Sequence, residues 1–517
     1  MNSKLDLVLI VPFQEKATFG PRIVDSYLTQ HGFEVAVLFL KKRDQLDSVV
    51  SPKEERLLID FIADKDPRLI GFSVMTVFRN PVIHLTQKIR DKVTTPIIWG
   101  GVHAIVQPDD CMLFADICCA GEGEEPLRLI LEQLRHGPLS TDIPNCYFKK
   151  DGKVIKNPIT YVRANLDDLP PPDLSGKNKF HIENNKLIAE DPYVTHLERS
   201  GVYDFKAFRG CPYRCTYCGN EAIWNTYSDR KAFLRKRSVD NVITELENVV
   251  RHFPTIKSIN SFDETFISDR KWVKEFAEKY AEAIHLPFSC QGYITQATEA
   301  VVKDLVKAGL TEISVGIESF NEEIRRTVYK RNQKDSTLLE KIDLFHKYNV
   351  TIGYDFILDN PYETGKDLKS FFFNFILKLP RPGEVNLYSL GHLPETVLTE
   401  RLLGEGLISE SDVVGISDKG LLQWKVTDAV RRDPEIEFWS AMMRLYMYKI
   451  LIGKRIYHVP TVIIRLIGKI NSPIILRFAA LAAIAVTSAS DGTLLQRIIG
   501  RVERLFPPKH KHKRRRL

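Results

Sequence analysis

The chain has 517 residues, 44% hydrophobic and 27% charged, a globular composition long enough for roughly two to four domains and unlike that of a disordered or fibrous protein. Its net charge of +7 is modest and much of it is C-terminal, so it is not a whole-protein nucleic-acid signal. Eight irregularly spaced cysteines and an N-terminus, MNSKLDLVLIVPF, that runs straight into an apolar segment predict no secretory leader and a reducing, cytoplasmic setting.

Residues 1–140 alternate short β-rich runs (Leu5–Val11, Glu34–Leu40, Leu69–Val74, Pro96–Trp99, Asp116–Cys119) with helical patterns such as Pro21–Gln30 and Asn80–Lys92. Alternation of this kind predicts a parallel, doubly wound α/β sheet, flavodoxin-like, with ligands at the carboxyl ends of its strands. The loops at those ends contain Ser73 and Thr76, then Gly100, Gly101 and His103, then Gly121 and Glu122. Paired glycines let backbone approach a large ligand closely. The series GFSVMT, WGGVHA and ADICCAGEGEE resembles the cobalamin-binding domain that precedes many radical S-adenosylmethionine (SAM) domains. The resemblance implies that these loop residues contact cobalamin. The Asp-x-His-x-x-Gly loop that supplies a histidine to cobalt in cobalamin mutases is missing after the first strand. His103 is not in that position, so no histidine is expected on cobalt.

Residues 141–200, punctuated by Leu169-Pro-Pro-Pro-Asp173 and the polar run Ser175–Asn185, read as a linker. Strands and helices alternate again over 201–400: Asp204–Arg209, Ser258–Phe262, Phe288–Tyr293, Glu312–Ile317 and Thr351–Leu358 are strands. Ser238–Phe253, Glu299–Ala308 and Ser336–Tyr348 are helices, and another starts at Lys366. After the first of these strands comes Cys211-Pro-Tyr-Arg-Cys215-Thr-Tyr-Cys218. Three thiolates around a cubane cluster leave one iron open for a substrate, whereas four-cysteine sites are closed for electron transfer. A structural zinc site is the alternative, but zinc takes four ligands and the next cysteine is Cys290.

This spacing, with an aromatic residue before the last cysteine, resembles the signature of radical SAM enzymes. The resemblance implies a partial (β/α)6 TIM-like barrel and a [4Fe-4S] cluster on Cys211, Cys215 and Cys218. The open iron would chelate SAM, whose cleavage yields a 5′-deoxyadenosyl radical. It also implies that Asp263 and Glu264 accept hydrogen bonds from the SAM ammonium, that Glu318 holds the ribose hydroxyls and that Tyr217 lies against the adenine. Gln291 and Tyr354 are weaker pocket candidates. A second cluster of the methylthiotransferase kind is not expected, because Cys111, Cys118, Cys119 and Cys146 sit late in the first domain, with Cys118 and Cys119 reading as buried strand residues.

Residues 401–517 read as a mainly helical region with a basic tail. Phe438–Ser490 contains no Asp or Glu but carries Arg444, Lys449, Lys454, Arg455, Arg465, Lys469 and Arg477 among apolar residues. That pattern predicts peripheral contact with the inner membrane surface; the uncharged run Phe478–Ser490 is too short to span a bilayer. The tail Lys509–Arg516 is a basic run that suits lipid headgroups or, in the alternative, RNA phosphates. The combined expectation is a cytoplasmic, cobalamin-dependent radical SAM enzyme. It is expected to act on a small, hydrophobic or lipid-like substrate, by methylation, with a flavodoxin- or ferredoxin-type reductant. A cyclase or rearrangement enzyme, an RNA-modifying enzyme and a non-catalytic corrinoid or iron–sulfur sensor are the alternatives.

Overall fold

The computed structural model describes residues 4–14, 18–42, 50–227, 229–380, 383–414, 433–447, 450–452 and 455–457. The chain divides into two compact units, residues 1–311 with 391–422, and 312–390 with 423–517.

The first unit opens with a nine-stranded sheet built from β1 (Leu7–Gln14), β2 (Val35–Lys42), β3 (Leu69–Ser73), β4 (Ile97–Gly100), β5 (Ile117–Cys119), β6 (Cys146–Lys150), β7 (Lys153–Lys156), β8 (Lys179–Glu183) and β9 (Lys186–Ile188), in the order β7-β6-β5-β4-β3-β1-β2-β8-β9. The six strands from β5 to β8 in that order pair in parallel. Strand periodicity of two sends alternate residues to opposite faces. Val8, Ile10, Ala36 and Leu38 pack with Leu58, Phe61 and Ile62 of helix Pro52–Lys65 and with Val82, Leu85 and Ile89 of helix Arg79–Arg90. Leu7, Leu9, Val35 and Val37 pack instead with Tyr27 and Leu28 of helix Phe19–Gln30 and with Leu127, Ile130 and Leu131 of helix Glu124–His136. Burial on both faces is the doubly wound arrangement that the apolar runs predict.

The stretch 141–200, read from sequence as a linker, instead adds β6, β7, β8 and β9 to this sheet. Two tight hairpins make this possible. Asp151 and Gly152 (φ 50° and 73°) join β6 to β7, and Asn184 and Asn185 (φ 53° and 59°) join β8 to β9. Consecutive left-handed residues are the type I′ geometry that suits a two-residue hairpin. Ion pairs fix the stretch to the core: Arg22 grips Asp191 at 2.6 and 2.7 Å with both side chains buried, and buried Lys179 lies 2.8 Å from Asp25 and 2.9 Å from Asp173.

The first unit continues with β10 (Val202–Phe205), the short antiparallel pair β11 (Phe208–Arg209) and β12 (Arg235–Lys236), then β13 (Ser258–Ser261) and β14 (Phe288–Gln291), with β10, β13 and β14 parallel. Helices Val239–His252, Arg270–Ala283 and Glu299–Ala308 alternate with them. In the second unit β15 (Leu310–Glu318), β16 (Thr351–Leu358) and β17 (Glu384–Ser389) are again parallel, separated by helices Asp335–Lys347 and Gly365–Asn374. Both regions therefore keep the strand-then-helix repeat expected of residues 201–400.

Helix Pro434–Met447 belongs to the second unit, where Trp439 packs on Phe372 (5.3 Å) and Phe438, Met442, Met443 and Met447 are buried. The start of the acid-free stretch is thus a core helix rather than a membrane-facing one, because its aromatic residues face helix Gly365–Asn374. The remainder of that stretch, apart from the short antiparallel strands Ile450–Ile452 and Arg455–Tyr457, and the basic tail lie outside the described residues. No helix among the described residues is long and apolar enough to cross a membrane.

Candidate active site

The cysteine loop follows β11 through Gly210, a residue whose φ of +86° and position against Phe233 leave no room for a Cβ. From there the loop is held at several points. Cys218 N–H donates to the Cys215 carbonyl (3.0 Å), and Leu398 N–H donates to the Thr216 carbonyl (2.9 Å). Tyr213 stacks on Tyr293 with centroids 3.9 Å apart. Arg214 donates to both carboxylate oxygens of Glu221 in the helix that begins at Gly219, and its guanidinium lies 5.1 Å from the centre of the Trp224 ring. The three thiols share this loop: burial, together with the neighbouring Cys218 and Cys215, pushes the Cys211 thiol up to about 12. Among the described residues no trio of His, Cys, Asp or Glu is drawn close enough to ligate a single metal ion; a cubane holds its cysteines on separate irons, further apart.

Asp263 and Glu264 follow β13 and part company. Asp263 is fully buried. Its carboxylate accepts from the backbone N–H groups of Ala207 (3.0 Å) and Phe208 (2.8 Å) and from the Ser261 hydroxyl (2.9 Å). Burial raises it to about 6. Expected to accept from an ammonium group, Asp263 is instead committed to the backbone that leads into the cysteine loop. Glu264 is partly exposed and pairs with Lys206 at 2.6 Å. Tyr217 is half-buried and Gln291 is exposed at its strand end.

In the second unit Glu318 ends β15 at a register shift opposite β16, with φ +72°. A Cβ on Gly316 would lie 2.1 Å from the Glu318 Oε1, so the glycine is what lets the carboxylate fold back over its own strand. Arg331 donates to the Gly316 carbonyl at 2.7 Å and stands 3.9 Å from the Glu318 carboxylate. Strand alternation then separates Tyr354 from Asp355. The Tyr354 ring is buried close to Gly383, which removes it as a pocket candidate. Asp355 is the member of that pair in the field of Glu318 and Arg331, and burial raises it to about 7. Sequence reading missed Asp355; the signal was an acid inside an apolar strand, YDFIL.

A cavity of about 360 Å³ lies within the first unit at the carboxyl ends of β3 and β4. Gly71, Ser73, Gly100, Gly101, Gly121 and Glu122 line it, with apolar walls from Leu7, Leu9, Ile98 and Phe19. Pro170, Pro171 and Pro172 close one side, and Lys206, Ala207, Phe208 and Arg209, the residues just before the cysteine loop, close another.

Two family models match the chain: the B12 binding domain over residues 6–131 and the radical SAM superfamily over residues 205–373. The chain carries a B12 binding domain followed by a radical SAM domain. It is 23% identical over 313 residues to an uncharacterized methyltransferase of Pyrococcus horikoshii, covering 59% of this chain and 63% of that protein. It is 21% identical over 409 residues to the anaerobic magnesium-protoporphyrin IX monomethyl ester cyclase of Rubrivivax gelatinosus, covering 75% of this chain and 69% of that one. The chain thus spans under two thirds of the first relative's length. The radical SAM methyltransferase TsrM from Kitasatospora setae, solved with tryptophan and a SAM analogue, superposes with a TM-score of 0.61 at 17% identity, over 77% of this chain and 76% of that one. The cobalamin-dependent radical SAM enzyme OxsB, solved with aqua-cobalamin, gives 0.63 at 15% identity, over 97% and 81%. At these identities the two structures establish likeness of fold.

The residues present fit the cofactors of a cobalamin-binding radical SAM enzyme. Three thiols on one anchored loop suit a cluster with an open iron, and the cavity lies in the size range of small-molecule sites, apolar with a few polar groups. At Gly71 a Cβ would press to 3.3 Å on Leu7 and Leu9, so glycine keeps the cavity wall thin. Ser73, Gly100, Gly101, Gly121 and Glu122 reach this cavity, whereas Thr76 and His103 are buried outside it. His103 bonds Asp110 (3.0 Å), itself gripped by Arg79, and so sits in a buried polar network. Glu122 contributes through ion pairs with Arg235 and Arg209 and by accepting from Arg163 N–H (2.9 Å). The triple proline was legible as a breaker but not as a cavity wall.

Proposed function

We propose that this enzyme cleaves SAM reductively and uses the resulting radical to methylate an unactivated carbon of a small hydrophobic substrate. The observation that carries the reading is that one cavity is lined both by the glycine loops of the first sheet and by the four residues leading into the cysteine loop. This supports a corrinoid site that is continuous in backbone with the cluster loop. When bound, the cluster with SAM supplies a carbon-radical initiator and the corrinoid a methyl carrier. Cys211, Cys215 and Cys218 ligate the cluster; Glu264 accepts from the SAM ammonium, Glu318 from the ribose hydroxyls, and Tyr217 covers the adenine. Carboxylates suit both acceptor tasks because charge-assisted hydrogen bonds are the strong ones. Asp263 holds the loop entry in place, and the anchored loop and apolar walls exclude water and other hydrogen donors. A flavodoxin- or ferredoxin-type protein supplies the electron. The acid-free basic segment beyond residue 447 is the basis for proposing a lipid-like substrate met at the membrane surface.

Cyclisation without methyl transfer is the second reading, favoured by similarity to the magnesium-protoporphyrin ester cyclase. Anaerobic reconstitution with iron, sulfide and cobalamin, then SAM and dithionite, tests the class. Bound corrinoid is read from the visible spectrum and 5′-deoxyadenosine by mass spectrometry, with Cys215→Ala as control. Corrinoid with Cys215-dependent deoxyadenosine is expected. Deoxyadenosine without corrinoid refutes the methyl-carrier part, and a loaded cluster that never cleaves SAM, with a substrate extract present, refutes the enzyme in favour of a sensor. Product mass then separates gain of a methyl group from loss of hydrogen on ring closure.

A further inference from the structure

Glu124 is the first residue of helix Glu124–His136 and lines the cavity. Its two carboxylate oxygens are used differently. Oε1 accepts from Arg209, whose guanidinium also stands 3.2 Å from Glu122. Oε2 is inaccessible to solvent and has no hydrogen-bond partner, in a side chain only 5% exposed. A buried carboxylate oxygen left unpaired costs free energy, and no mechanistic step above uses it. Glu124 is one of the residues that line the cavity, so a ligand there would change its surroundings.

We propose that Glu124 Oε2 is the acceptor that orients the corrinoid in this cavity, taking a hydrogen bond from a neutral O–H or N–H donor on the ligand. The inference rests on the cofactor reading above. Two parts of a corrinoid carry such donors: the sugar hydroxyl of the nucleotide tail and the amide groups of the macrocycle rim. Arg209 sits two residues before Cys211, so the same carboxylate that meets the ligand through one oxygen holds the entry to the cluster loop through the other. The apolar walls give shape but no direction; Glu124 supplies the direction.

The test is corrinoid binding by the full chain, followed by visible spectroscopy and equilibrium dialysis, with cobalamin and with tail-less cobinamide. Glu124→Gln places an amide where the ligand's donor points and should weaken cobalamin binding roughly tenfold, the worth of one hydrogen bond to a charged group. A loss confined to cobalamin identifies the tail hydroxyl as donor, and an equal loss with cobinamide identifies a rim amide; both support the proposal. Cobalamin affinity unchanged in a folded, iron-loaded variant overturns it. If the Gln variant does not fold, Glu124→Asp keeps the charge beside Arg209 and withdraws the free oxygen, with the same two outcomes. Failure of the unsubstituted chain to take up any corrinoid would overturn the cofactor reading and this inference together, whereas uptake indifferent to Glu124 overturns the inference alone.

Discussion

Gly210 is the position at which the cluster loop is most exposed to a single methyl group. A Cβ there would lie 2.4 Å from the Phe233 carbonyl oxygen and 2.8 Å from its ring. Ordinary contact begins at 3.4 Å, so the backbone must shift by about 1 Å. Phe233 cannot yield easily: it is buried against Trp224 and Tyr227, at 5.3 and 5.5 Å between ring centres. The left-handed φ adds about 1–2 kcal/mol for any L-residue. The strain falls one residue from Cys211, and misplacement of a reacting group by about 1 Å costs on the order of a hundredfold in rate. Gly210→Ala should therefore lower iron bound per chain after reconstitution and cut deoxyadenosine formation roughly a hundredfold. Gly404→Ala, where a Cβ meets nothing within 4 Å, should leave both unchanged. A Gly210→Ala protein with full iron content and undiminished deoxyadenosine formation would refute the reasoning.

The two neighbouring acids should separate cleanly: Asp263→Asn puts an amide against the Ala207 and Phe208 N–H donors and lowers stability in urea, whereas Glu264→Gln keeps stability and weakens SAM in a calorimetric titration. Asp355 predicts a pH dependence. Its folded-state value near 7 lies above the usual 3.8, so the folded chain holds a proton that the unfolded chain releases, and stability is full below about pH 4 and falls as pH rises towards 7. Glu363, raised by burial to about 7, acts in the same sense. Asp355→Asn should flatten part of that slope in urea midpoints measured across the window and raise stability above pH 7; an unaltered slope would count against the burial argument.

Much of the sheet was legible because its strands are short apolar runs cut by turn residues: Leu7–Gln14, Leu69–Ser73 and Thr351–Leu358 all appear where periodicity puts them. The edge strands were not, since β7 and β9 are polar, three or four residues long and carry no buried face. Their only strong signal is the turn chemistry of Asp-Gly and Asn-Asn, which reads as linker when the flanking strands are missed. Within the site, spacing located the cysteine loop and the acids at strand ends, but not which acid points where. Asp263 and Glu264 are adjacent, and only the three-dimensional path of Ala207 and Phe208 decides that the first is buried. The surroundings of His103 were hidden for a similar reason: a histidine after a double glycine looks like a loop residue, yet the helix Val102–Val106 turns it onto Asp110.

Glu318 carries the last consequence. A glutamate at φ +72° is held against its own preference, and such strain persists only where the surroundings over-determine it. Here Gly316 leaves space for the folded-back carboxylate, while Arg331 ties down the Gly316 carbonyl. At most positions glycine is less stable than alanine by about 0.5–1 kcal/mol, through the entropy of the unfolded chain. At a left-handed position the order reverses, because alanine keeps the Cβ clash and glycine loses it. Glu318→Gly should accordingly be more stable than Glu318→Ala, by on the order of 1 kcal/mol, while both lose SAM affinity to a similar extent. The comparison isolates backbone from carboxylate, since both variants lack the side chain's acceptor. The opposite order of stability would mean that the backbone at 318 is relaxed; the expected order would mean that stability is given up there to aim one carboxylate.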